Sequence, residues 1–151
     1  MALKIVLINL SSTMSSDGSR LISALLKRAG YAVTNIFLAR SKPFNYEKDE
    51  LNLLDPILEN ADLVLIGVYS SYVLRAIQIT EYIKKSFSNL MVVWGGPHCI
   101  AAPEMALEFA DGVCFSEGDE VVVDFVNKLS NGRKYMGTPN MAFMKNGEMI
   151  I

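Results

Sequence analysis

Cysteine and histidine are scarce in this chain: Cys99, Cys114 and His98 are the whole supply in 151 residues. They form no Cys-x-x-Cys pair, so a zinc or iron–sulfur centre built by this chain alone is not expected. Cys114 falls in an apolar run and reads as a small buried hydrophobe, and Cys99 as an ordinary, half-exposed loop cysteine. An excess of one charge is missing too. The 14 Lys and Arg against 16 Asp and Glu give a formal net charge of -2, and the basic residues are scattered. A polyanion finds no basic stripe, which argues against nucleic acid as a partner. No apolar run approaches the roughly 20 residues that cross a bilayer, and the opening Met-Ala-Leu-Lys leads into a strand rather than a signal peptide. The expectation is a soluble, cytoplasmic protein. Internal repeats and low-complexity tracts are also absent.

What is present is a large apolar fraction, 51% of residues, enough for one domain with a substantial core and too little chain for two. Five short runs rich in Val, Ile and Leu read as buried parallel strands: Leu3 to Asn9, Ala32 to Phe37, Leu63 to Tyr69, Leu90 to Trp94 and Gly112 to Phe115. Their composition implies cover on both faces. Helical spacing fills the gaps, near Gly18 to Arg28 with Gly30 as the stop, Glu50 to Asn60 disturbed by Pro56, Tyr72 to Phe87, Pro103 to Phe109, and Asp119 to Leu129. In the third of these helices Arg75, Glu81, Lys84 and Lys85 are expected to face water. Strict alternation of strand and helix predicts an α/β fold, a doubly wound, flavodoxin-like or Rossmann-like sheet of five parallel strands in the order 2-1-3-4-5 with right-handed crossovers.

The last residues differ in character. Asn146-Gly147 is a two-residue hairpin signal, because both residues accept the positive φ of a type I′ turn. Four of the eight methionines fall in the final sixteen residues. The apolar strand at Met149 to Ile151 suggests a chain cut from a longer polypeptide whose next domain covers the hairpin. The expected division is 1–135 for the domain and 136–151 for a linking hairpin, the alternative being a hairpin packed on its own domain or on a second copy.

In the 2-1-3-4-5 order a crevice opens at the carboxyl ends of strands one and three. The loop after strand one carries Ser11, Ser12, Thr13, Met14 and Ser15, followed by Ser16 and Asp17, a hydroxyl-rich approach to a helix N-terminus suited to a phosphate or an amide. Helix capping by Ser16 or Asp17 explains part of it. After strand three, Tyr69-Ser70-Ser71-Tyr72 supplies further hydroxyls and aromatic faces. After strand four, Gly95-Gly96-Pro97-His98 lets backbone approach a ligand or simply makes a tight turn. After strand five, Glu117-Gly118 can accept hydrogen bonds, while Ser116 and Asp119 form a plausible capping pair. His98 has no evident triad partners, and a lone histidine in a turn is more often structural than catalytic.

Taken in order and spacing, these pieces resemble the cobalamin-binding domain at the N-terminus of many radical S-adenosylmethionine enzymes. The motifs are Lys4 to Asn9, Ala61-Asp62-Leu63-Val64-Leu65-Ile66-Gly67-Val68, Gly95-Gly96-Pro97-His98, Pro103-Glu104 with Ala106-Leu107, Glu117-Gly118-Asp119-Glu120, and the terminal Gly137 and Asn146-Gly147-Glu148. The resemblance implies cobalamin as cofactor, its nucleotide tail held by Ser11 to Ser16 and Ser70 to Tyr72, with Gly95 to His98 and Glu117-Gly118 along the tail or corrin edge. It also implies a partner in the chain's own C-terminal radical domain, which would bring S-adenosylmethionine, a 4Fe-4S cluster and a small-molecule substrate for methyl transfer or a related radical step. Alone, the chain would bind and not turn over.

Two departures qualify the match. The Asp-x-His-x-x-Gly loop that places a histidine beneath cobalt in mutase-type proteins is missing after strand one, as expected for cobalamin bound with its base displaced and no protein histidine. The Cys-x-x-x-Cys-x-x-Cys set for the cluster is missing too. A flavodoxin-like FMN electron carrier and a degenerate cobalamin-type fold that serves as a recognition module stay open. A receiver domain does not, because Asn9 and Tyr69 stand where it needs acidic residues.

Overall fold

The computed structural model describes residues 2–11, 14–39 and 45–151. Five parallel strands, β1 (Lys4–Asn9), β2 (Ala32–Phe37), β3 (Leu63–Gly67), β4 (Met91–Gly95) and β5 (Gly112–Cys114), lie in the order β2-β1-β3-β4-β5. The sheet is larger than the five strands expected. The terminal hairpin, β6 (Met141–Lys145) and β7 (Glu148–Ile150), adds two antiparallel strands to the same sheet, with Gly112 opposite Phe143 and Cys114 opposite Met141. Asn146 and Gly147 take positive φ at its turn, as their sequence predicts.

Alternation along each strand divides the core in two. Ile5, Leu7, Leu63, Leu65 and Val93 face helices α1 (Asp17–Arg28) and α7 (Gly118–Ser130), with Phe125 and Phe143 among them. Val6, Ile8, Val64, Ile66, Val92 and Trp94 face the other way, toward α2 (Lys48–Asn52), α3 (Asp55–Leu58), α4 (Val73–Ser86), α5 (Pro97–Ala101) and α6 (Pro103–Leu107). On that side Trp94 stacks on Phe109, and its indole N–H donates to Thr80 Oγ1 at 2.9 Å, so the one polar atom of a fully buried ring is satisfied.

Four expectations shift. The helix expected near Glu50 to Asn60 is two short helices, with Pro56 in the first turn of α3, where its missing N–H costs nothing. A helix not foreseen, α5, follows Gly96 directly. Strand β2, at the edge, is only partly covered rather than buried on both faces. Arg75 does not face water: it is buried, because its guanidinium lies between the rings of Tyr46 and Tyr72 and donates to Leu10 O at 2.9 Å. No helix among the described residues is long and apolar enough to cross a membrane.

Candidate functional site

The turn out of β1 leads α1 to one face of the sheet, and the turn out of β3 leads α4 to the other. A cleft of about 240 Å³ opens at this carboxyl rim, on the α1/α7 face. Leu65, Val93 and Cys114 of three neighbouring strands line it, together with Ile22 of α1, Val121 and Phe125 of α7, and Met141 of β6. Five glycines line it as well, Gly18, Gly67, Gly95, Gly96 and Gly118, and the first three stand apart. A Cβ on Gly18 or Gly67 would meet nothing within 4 Å, and one on Gly95 only Cys114 Cβ at 3.8 Å. Their missing side chains therefore leave space that packing does not use.

Gly96 is glycine for a different reason. Its φ is +100°, and a Cβ there would lie 2.9 Å from Val68 O. That carbonyl accepts from His98 N–H at 3.0 Å, while Val68 N–H donates to Gly95 O at 2.7 Å. The tight-turn reading of Gly96 holds, and the turn locks β4 to the end of β3.

The sequence-predicted residues divide into three groups. Gly95, Gly96, Pro97, Glu117 and Gly118 line the cleft. Ser11, Met14, Ser15, Ser70, Ser71, Tyr72 and His98 do not; of these, Met14, Ser15, Ser70 and Ser71 are exposed near the same rim. Ser12 and Thr13 lie outside the described residues. Ser16 stands at the N-cap of α1 and Glu117 at the N-cap of α7, neither with a side-chain capping bond, so the expected pairing of Ser116 with Asp119 does not cap α7.

His98 lies in α5, buried, with both ring nitrogens engaged. Nδ1 is 2.9 Å from Ser70 Oγ and Nε2 is 3.3 Å from Met105 Sδ. Both partners belong to the protein's own packing around α5. Tyr72 packs its ring against Arg75 and Tyr69, and of these two tyrosines it is Tyr69 that reaches the cleft. Cys99 is fully buried in α5 rather than half-exposed, and burial pushes its thiol up to about 12. Burial likewise raises the Cys114 thiol, which donates weakly to Ser116 O at 3.5 Å. Among the described residues no three His, Cys, Asp or Glu come together to hold a metal ion.

The apolar lining went unnoticed in the sequence because Ile22, Leu65, Val93, Val121 and Phe125 follow ordinary core periodicity. Only Gly18, Gly67 and Gly95, glycines at strand ends and a helix start, carried a legible sign of an opening.

An open α/β sheet with such a cleft at its carboxyl rim is a cofactor-binding arrangement, and a family model for the B12 binding domain matches residues 3–126. The chain belongs to the B12-binding domain family. In sequence it is 30% identical over 91 residues to an uncharacterized methyltransferase of Pyrococcus horikoshii, a match covering 58% of this chain and 20% of that protein. In structure it is similar to the radical S-adenosylmethionine methyltransferase TsrM of Kitasatospora setae solved with cobalamin and a [4Fe-4S] cluster (TM-score 0.77, 16% identity, 99% of this chain and 28% of that one). It is also similar to OxsB, a cobalamin-dependent S-adenosylmethionine radical enzyme solved with aqua-cobalamin and S-adenosylmethionine (TM-score 0.77, 17% identity, 98% and 22%). These similarities show the fold, and the chain spans between a fifth and a third of each relative's length.

The residues present fit a corrinoid. An apolar cavity of about 150 Å³ lined by Leu, Ile and Phe is enough for benzene, so a cleft of about 240 Å³ with similar lining has room for a flat bicyclic base. Its glycine-edged opening gives a nucleotide tail a way in.

Proposed function

We propose that this chain binds cobalamin at the carboxyl rim of its sheet, with the nucleotide tail in the cleft between α1 and α7 and the corrin ring across the mouth. The observation that carries this reading is the cleft itself, apolar within and edged by Gly18, Gly67 and Gly95, whose Cβ positions are open. Leu65, Val93 and Phe125 would take the base by apolar burial. Ser11, Ser12, Thr13, Met14 and Ser15 would border the tail phosphate beside the N-terminus of α1. Ser70, Ser71, Tyr72, Gly95 to His98 and Glu117-Gly118 would frame the tail's exit or the corrin edge.

The cobalamin would be held base-off with no protein histidine beneath cobalt. Supporting this, the loop after β1 contains no histidine, and the nitrogens of His98 are both engaged within the protein. When bound, the corrinoid supplies the methyl-transfer or radical chemistry, while the chain positions it and excludes water from its tail. The partner would be a radical domain of the same polypeptide, carrying S-adenosylmethionine, a 4Fe-4S cluster and a small-molecule substrate. The larger size of TsrM and OxsB supports that part of the reading.

The test mixes the chain with hydroxocobalamin or FMN and passes each mixture through gel filtration. A corrin spectrum travelling with the protein is expected. A retained flavin spectrum, or no retained chromophore, overturns the reading.

A further inference from the structure

The cleft is dry in its chemistry as well as apolar in its outline. The side chains facing its interior, Leu65, Val93, Val121 and Phe125 among them, offer no hydrogen bond. Its heteroatoms are the Cys114 thiol, already turned to Ser116 O at 3.5 Å, and the thioether of Met141, both weak partners. The Ser19 hydroxyl donates at 3.3 Å to Asn35 Oδ1. The strand backbone is committed too, since Leu65 to Gly67 pair with Val93 to Gly95 in the β3–β4 ladder. What remains for a polar ligand, the Tyr69 hydroxyl, Ser116, Glu117 and the first-turn N–H groups of α1 and α7, lies in the turns at the carboxyl rim rather than on the strands.

Resting on the cobalamin reading above, we propose that this cleft selects among corrinoids by the base at the end of the nucleotide tail: it takes an apolar benzimidazole-type base and discriminates against a purine. A purine carries an exocyclic amine and ring nitrogens that water satisfies in solution. Inside the cleft they would be buried without partners, while a benzimidazole bearing methyl groups presents mostly carbon to Leu65, Val93 and Phe125. A buried polar group left unpaired weakens binding by about tenfold or more, and two compound the loss.

Three corrinoids with the same upper ligands test this by absorbance titration of the chain: cobalamin with its dimethylbenzimidazole, the analogue with adenine as base, and cobinamide, which has no nucleotide. Cobalamin is expected to bind at least about tenfold more tightly than the adenine analogue, with cobinamide weaker than cobalamin. Val93→Thr keeps the side chain's shape, adds a hydroxyl to the wall, and is expected to narrow the gap between the two complete corrinoids. Equal affinity for cobalamin and the adenine analogue overturns the selectivity and leaves cobalamin binding standing. Cobinamide binding as tightly as cobalamin also overturns it, since the tail would then make no use of the cleft. Failure of all three to bind overturns both.

Discussion

The two faces of this sheet use the same strands and end differently at the same rim. On the α2–α6 face, Trp94, Phe109 and Ile79 fill the interior, and Arg75 closes the rim between Tyr46 and Tyr72. On the α1/α7 face the corresponding positions hold Gly18, Gly67 and Gly95, and a cleft remains. Period-two alternation sends Ile66 to the filled side and Leu65 to the open one. Whether a Rossmann-like sheet encloses a site is therefore decided less by its strands than by the few residues at their ends.

The largest expected effect lies on the filled face. Trp94→Ala should lower the unfolding free energy by about 3–5 kcal/mol, read by denaturant melting, because a large ring is lost and Thr80 loses its donor. A smaller loss would mean that this face is less tightly packed than the structure shows. On the open face Gly67→Leu should act the other way round. Its side chain enters open space, so the melting midpoint should barely move, while corrinoid affinity falls by about a hundredfold as the cleft fills. Unchanged affinity would separate the cleft from the binding function.

Closing the contrast at the rim, Arg75→Met should destabilise by about 2 kcal/mol, since Leu10 O loses its charged donor and two rings lose their cation. Equal stability would show the plug to be dispensable. The smallest effect concerns Cys99. Its folded thiol is raised to about 12 by burial, so its contribution to stability is full below the ordinary thiol range and is lost as pH climbs from about 9 toward 12. Stability measured across that interval should fall less steeply in Cys99→Ala, and an identical slope would contradict the burial.

Much of the fold was legible because its cause is local. Hydrophobic runs marked β1 to β5 to within two residues, Gly30 stopped α1, and Asn146-Gly147 set the hairpin. The site was legible only where its residues break a pattern. Gly95-Gly96-Pro97 and Glu117-Gly118 stood out as turns and do line the cleft, whereas Leu65, Val93 and Phe125 look like any core residue in one dimension. Arg75 misled because helical spacing assigns a charge to water, and nothing in the sequence announces that Tyr46 and Tyr72 fold over it. The hydroxyl loops drew notice for their composition, yet Ser70 spends its side chain on His98.

The terminal hairpin, expected in sequence as a link to a further domain, is also built into this one: Met141 is at once its first strand residue and part of the cleft's lining. Phe143 lies so close over Gly112 that a Cβ there would sit 2.6 Å from its ring, which seats the ribbon firmly against β5. Peeling this ribbon away would strip one side from the chamber. Trimming the chain at residue 135 would thus take Met141 out of that wall and open the chamber sideways.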